Sequence, residues 1–304
     1  MSDAHAPLET LPRSLKILLG TALLALAAFP FVGTDYYLQM VTRMMILAIF
    51  AMSLDLLQGV TGLVSLGHAA YFGVAGYALA FLTPPGEPVS LWWTLPAAVG
   101  ASALLALIIG FLVVRTHGIY FIMVTMAFAQ MVFYAFFDNK VLGGSDGIYI
   151  NFKPEAVLFD LENKKVFYFF TLALMVLVYA FLRRLLWSPF GRALAGLAGF
   201  LWGAQSGYVN PELMGFHMSA HVIMMVILGG MGNFAGAIVG AFSFEYLLHV
   251  FKDLPQVAGF NLGKHWQLWM GLFIVALVVL APRGILGLFA SLLKDKSEKQ
   301  GPQT

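Results

Sequence analysis

Ten apolar runs, at 15–33, 38–57, 60–82, 91–114, 118–137, 166–187, 193–209, 218–231, 234–251 and 266–281, fill most of this 304-residue chain and leave it few ways to fold. Crossing a bilayer core of about 30 Å takes about 20 apolar residues as helix. In lipid, only helices and closed barrels satisfy their own backbone groups. The runs are continuous rather than alternating. They predict an all-α, polytopic membrane helical bundle of about 8–10 transmembrane or re-entrant segments. The composition agrees: 11% of residues are charged and 60% hydrophobic, where a soluble domain carries about 25% charged residues. A water-facing surface cannot be assembled from this chain. The eighth and ninth runs share one stretch that parts only at the glycines around Gly230 and Gly232, and the eighth is short for a full crossing.

Several function classes fall away. A net charge of +2 is too small to point to nucleic acid. With no cysteine there is no disulfide, thiolate nucleophile or cysteine metal site. The sequence holds no GxxxxGK[ST], HExxH or GxSxG. "GMGNFAG", Gly230 to Gly236, fits the dinucleotide pattern, but it follows the apolar "VIMMVIL" where that motif needs a strand and a βαβ unit. The chain is expected not to be an enzyme and to hold no metal or cofactor of its own. Arg13 and Lys16 ahead of the first run resemble a signal peptide, but the spans that follow favour a retained first helix.

Cytoplasmic loops carry the lysine and arginine excess. With the N-terminus inside and sides alternating, the inside holds Arg13, Lys16, Arg115, Arg183, Arg184, Arg192, Arg283, Lys294, Lys296 and Lys299. The outside holds Lys140, Lys153, Lys164, Lys165, Lys252 and Lys264, four of them in the loop 138–165. Residues 1–14 and 290–304 are then cytoplasmic tails, 138–165 is an external loop, and 15–289 is the membrane domain.

Two segments spend glycine where a helix would avoid it: "GVTGLVSLGHAAYFGVAGYALA" (59–80) and "VILGGMGNFAGAIVGAF" (226–242). Glycines at 232, 236 and 240 are four apart and would line one helix face, which allows close helix packing. The same glycines permit a broken or re-entrant helix lining a polar path, and a pair of interrupted segments in two halves of a chain points to a transport pathway. The two readings are compatible, because a path needs packed walls. Ser65, Gly67, His68, Gly229, Gly230 and Gly232 are the candidate path residues. His68 reads either as a hydrogen-bonded structural residue or as functional, since ionisable groups at membrane depth default to the latter. Glu245 and His249 stand i,i+4 and form a possible intramembrane polar pair. Arg43 is expected to snorkel outward, and Asp55 and Gln58 to be solvated at their helix end.

The stretches "QGVTGLVSLGHAAYFGVAGYALA" (58–80), "RTHGIYFIMVTMAFAQM" (115–131), "GGSDGI" (143–148), "SPFGRAL" (188–194), "ILGGMGNFAGAIVGA" (227–241) and "PRGILGLF" (282–289) resemble the LivM-type permease subunits of ABC importers for branched-chain amino acids. They run in family order from about residue 36 to 289. The resemblance implies a LivH-like sister permease, two cytoplasmic ATPase subunits that bind the ATP, and an external substrate-binding protein, in a bacterial inner membrane with both termini cytoplasmic. Leucine, isoleucine or valine is the implied substrate, with urea, short amides or another small amino acid as the alternative.

One departure is internal. In the family, "SPFGRAL" leads into a charged cytoplasmic coupling segment that contacts the ATPase, followed by a full helix. Here Leu194 runs straight into "AGLAGFLWGAQSGYV", so the coupling segment and half of the next helix are absent near 192–195. Five residues, "SPFGR", cannot form a docking helix. Impaired coupling is therefore expected. An uncoupled channel, or a non-transporting structural partner of the sister permease, are the competing classes.

Overall fold

Most of the architecture follows from one helix that has no polar face. α2, Asp35–Asp55, is buried at every residue from Met44 to Asp55. A helix apolar on all sides is stable only inside a shell of other helices. The computed structural model of the chain describes residues 13–60, 62–84, 89–113, 115–150, 154–156, 160–184, 191–257, 260–281 and 284–288. Residues 1–12 of the first tail, the C-terminal tail and the "SPF" of "SPFGRAL" lie outside the described residues.

The remaining helices are α1 Arg13–Val32, α3 His68–Leu82, α4 Leu91–Val113, α5 Ile119–Phe137, α6 Lys164–Arg184, α7 Gly191–Ser206, α8 Phe216–Gly229, α9 Phe234–Lys252 and α10 Trp266–Leu280. Two short antiparallel ladders complete the order: β1 Ile148–Tyr149 pairs with β2 Tyr208–Val209, and β3 Gln256–Val257 with β4 Phe260–Asn261. Six stretches, 35–59, 91–113, 119–137, 164–183, 234–252 and 263–288, are long and apolar enough to cross a membrane. The protein is the polytopic helical bundle that the apolar runs predict.

Three of the helices packed in the interior are short. α3, α7 and α8 have 15, 16 and 14 residues. At about 1.5 Å per residue they reach only about 21–24 Å, short of a bilayer core. These short helices lie inside. α7 is buried from Ala195 to Ala204 and α3 over most of its length, both against α2 or each other. The 23-residue α4 and the 15-residue α10 lie outside and show apolar stripes, Leu104, Leu107, Ile108 and Phe111 on one, Leu268, Leu272, Val275 and Val279 on the other. That spacing keeps each stripe on one helix face.

Three expected boundaries move, each at glycine. The third run is helical only from His68, because α2 ends in a π-helical turn, Leu56–Val60, and residues 62–67 are not helical. The seventh stops at Ser206, and Gly207, with φ +65°, turns the chain into β2. Between α8 and α9, Gly230 and Gly232 take φ of +109° and +84°, a region open mainly to glycine. Gly232 is therefore outside α9, so the expected stripe of Gly232, Gly236 and Gly240 on one helix does not form. Asn233 caps α9 instead, its side chain accepting the Ala235 N–H at 3.0 Å. Such a cap contributes about 1 kcal/mol.

The irregular stretch before α8 is packed inside the protein, as lipid requires. Val209 and Met214, on the irregular stretch before α8, are fully buried against α3. The bundle has two distinct ends. At one, β1 pairs with β2, Ser90 bridges Glu155, and Lys164 Nζ lies 2.7 Å from Asp35. The other end gathers the glycine breaks.

Candidate functional site

Four breaks converge at the second end. The Asp55 carboxylate Oδ1 accepts the Gly232 N–H at 2.8 Å, and Gln58 Nε2 donates to Met231 Sδ at 3.2 Å. A Cβ at Gly59 would lie 2.6 Å from the Gly232 Cα, and one at Gly284 2.6 Å from the Gly230 Cα. A Cβ at Gly67 would meet the Thr125 carbonyl of α5. Gly229 packs on Gly236 so closely that a Cβ there would strike its carbonyl oxygen. The glycines make backbone-to-backbone contact possible among α2, the break before α3, the α8–α9 turn and the chain after α10. Asp55 is wholly buried there, and its Oδ2 has no hydrogen-bond partner among the described residues.

One step further in sits His68, the first residue of α3. Ser53 donates its hydroxyl proton to the Phe50 carbonyl at 2.6 Å, which leaves the oxygen to accept from His68 Nε2–H at 2.8 Å. The imidazole stacks on Phe50, with ring centroids 5.5 Å apart, and meets Tyr71 edge-on. Ser65 is buried and accepts the Gly67 N–H at 3.3 Å. Ser219 of α8 accepts the Ala69 N–H at 3.2 Å, joining the start of α3 to α8.

Toward the first end lies a cavity of about 520 Å³, lined by the opening half of α2, the last turn of α7, α8, the far half of α9 and the start of α10. Arg43 Nε is 3.4 Å from Glu245 Oε1, and its guanidinium lies 4.4 Å from the centre of the Trp202 ring. His221, His249 and Trp266 share the walls. At that end Tyr208 donates its hydroxyl to the Asp146 carbonyl at 2.7 Å. Burial, then Tyr149, Asp146 and Glu212, hold its phenol above the ordinary value.

Against the sequence, Gly229, Gly230, Gly232, Gly67, His68 and Ser65 all fall in the convergent region. Glu245 and His249 face the same cavity but have different partners: Glu245 pairs with Arg43, while His249 Nε2 lies 3.4 Å from Asp253 and 3.4 Å from the Tyr36 hydroxyl. Arg43 does not snorkel free, and Asp55 and Gln58 are buried rather than solvated. Ser53 and Ser219 were not singled out by sequence. A hydroxyl within an apolar run is the one local signal they carry, and it does not reveal a partner in another helix.

A lipid-embedded bundle whose interrupted helices meet at one end, beneath a polar cavity at the other, defines a membrane transport protein of the permease class. The family described as "Branched-chain amino acid transport system / permease component" matches residues 36–194 and 193–282, and the chain belongs to it. It is 28% identical to the high-affinity branched-chain amino acid transport system permease protein LivM of Salmonella typhimurium, over 93% of this chain and 77% of that protein. It is 27% identical to the LivM of Escherichia coli K12 over the same shares. The LivH permease protein of Escherichia coli K12 matches at 33% over 32% of this chain and 29% of its own length. No solved structure matches. The chain is a transport permease and not an enzyme, and it is a multi-pass protein of the bacterial inner membrane.

Proposed function

We propose that this chain is the LivM-like half of an ATP-driven importer for branched-chain amino acids. It pairs with a LivH-like sister permease, with two cytoplasmic ATPase subunits and an external binding protein. The convergence of Asp55, Gly59, Gly232 and Gly284 carries this reading. We read it as a hinge made of glycine and one buried carboxylate, at the far end of α2 from the polar cavity. α2 touches both, so a shift of the α8–α9 turn is passed to the cavity walls through a rigid rod.

The lysine and arginine excess supports a cytoplasmic hinge end, since Arg115, Arg183 and Arg192 lie at or just beyond helix ends there. The 138–165 loop then faces the binding protein outside. Coupling to the ATPases is weakened. α6 ends at Arg184 and α7 begins at Gly191, so six residues join them. The family match falls in two pieces that meet at 193–194, and the alignment to LivM runs over 339 positions, longer than this whole 304-residue chain. Both observations support a segment absent here.

The test is uptake of labelled leucine into proteoliposomes holding this chain, the sister permease, both ATPases and the binding protein, with ATP hydrolysis followed in parallel. Leucine uptake that requires ATP, with more ATP consumed per leucine than in a system with an intact LivM, is the expected result. Uptake without ATPases would instead establish an uncoupled channel, and no uptake under any condition a non-transporting partner. Urea uptake in place of leucine would move the substrate class.

A further inference from the structure

The cavity at the external end contains an ion pair that the hinge does not use. Arg43 is about half exposed to it and Glu245 largely buried, with side-chain exposures of 52% and 13%. Ionisable groups at membrane depth are rare and mark substrate pathways by default. Charge-assisted N–H···O bonds run about 2.7–2.9 Å, and Arg–carboxylate pairs often make two of them. This one stands at 3.4 Å through Nε. The guanidinium is held by something else, the face of Trp202 at 4.4 Å, a cation–π geometry. Arg43 is thus positioned without being fully engaged by its carboxylate.

We propose that Arg43 and Glu245 form a subsite for the zwitterion of a free amino acid in passage, an inference that rests on the permease reading. The substrate carboxylate binds the Arg43 guanidinium and the substrate ammonium binds Glu245. One ion pair is exchanged for two, and the site stays neutral, so no net charge is added at membrane depth. The substrate side chain meets Leu47, Met218 and Met225, the apolar part of the wall. Methionine adapts its shape to differing aliphatic groups, which suits leucine, isoleucine and valine alike. His221, His249 and Lys252 also face the cavity, and His249 is turned to Asp253 and Tyr36. The volume, about 520 Å³, falls in the range of about 300–1,000 Å³ common for small-molecule sites.

The experiment measures binding of labelled leucine to the purified complex of this chain with its sister permease and ATPases, without the external binding protein. Tryptophan emission is read in parallel, because Trp202 and Trp266 line the cavity. Leucine should bind saturably. Competition by 4-methylpentanoate, which lacks the ammonium, and by 3-methylbutylamine, which lacks the carboxylate, should each be weaker by about tenfold or more, the effect of one lost charged hydrogen bond. Arg43→Gln should weaken leucine and remove its advantage over the amine. Glu245→Gln should remove its advantage over the acid.

If leucine and both analogues compete equally, or if urea displaces leucine as well as leucine itself does, the subsite is wrong. It is also wrong if the variants keep the wild-type order of preference, the outcome a merely structural ion pair predicts. The analogue series on the unaltered complex decides the matter even where a variant fails to assemble. Leucine import by the full system with no leucine binding to the complex overturns the subsite and leaves the permease reading intact. Absence of import overturns the permease reading itself.

Discussion

Asp55 and Gly232 lie 177 residues apart in sequence, and the carboxylate of one accepts the backbone N–H of the other at 2.8 Å. This bond fastens the end of α2 to the turn between α8 and α9 at the point where the backbone is least regular. Asp55→Ala leaves a buried N–H without a partner, a loss of about 1–3 kcal/mol. Asp55→Asn keeps an acceptor oxygen of the same reach. The expected order of thermal stability in detergent is wild type, then Asn, then Ala, followed by melting of the purified protein. Leucine uptake should fall in the same order.

The glycine contacts separate into two groups by what a methyl would meet. Gly229→Ala would drive its Cβ into the Gly236 carbonyl, and Gly59→Ala into the Gly232 backbone. Each should destabilise by about 1–3 kcal/mol through overpacking. Gly100→Ala, with nothing within 4 Å of its Cβ, should be neutral or slightly stabilising, since alanine is the better helix former. Melting temperature and the amount of protein retained in the membrane check all three variants together.

His68 and Ser53 form one unit with Phe50. Ser53→Ala removes the acceptor for His68 Nε2–H and should cost about 1–3 kcal/mol, because the donor stays buried. His68→Ala should lower uptake without loss of protein from the membrane, and His68→Gln, which can still donate to Ser53, should recover part of it. Unchanged uptake in His68→Ala would leave the residue a purely structural role.

The helices were legible because hydropathy is a local property. Each of the ten runs overlaps the helix it predicts, with ends shifted by up to eight residues at the start of α3. That largest shift lies at Gly59 and Gly67, whose Cβ positions are taken by backbone from other elements, and at Gly62, whose φ is +70°. Asp55 was misread for the same reason. Near a helix end an acid looks solvated, and only the α8–α9 turn folded over it buries it. The Arg43–Glu245 pair spans 202 residues and the cavity draws on five helices, so no window of sequence contains it.

The proposed weak coupling rests on the short connection between α6 and α7. Six residues separate Arg184 from Gly191, and six residues holding Pro189 cannot build a helix of two or more turns for an ATPase to grip. α7 itself is too short to cross alone, and it is buried from Ala195 to Ala204 against α2, α3 and α4. The stretch from Ala195 onward is therefore held by packing within this chain. Inserting the corresponding segment of a LivM relative after Leu194 should leave this packing intact, because the insertion enters on the cytoplasmic side of the buried stretch. The expected outcome is unchanged leucine binding to the complex and a lower ratio of ATP hydrolysed to leucine imported, measured in the same proteoliposomes. Equal ratios before and after insertion would mean that the ATPases hold this chain elsewhere, and the short connection would then carry no functional consequence.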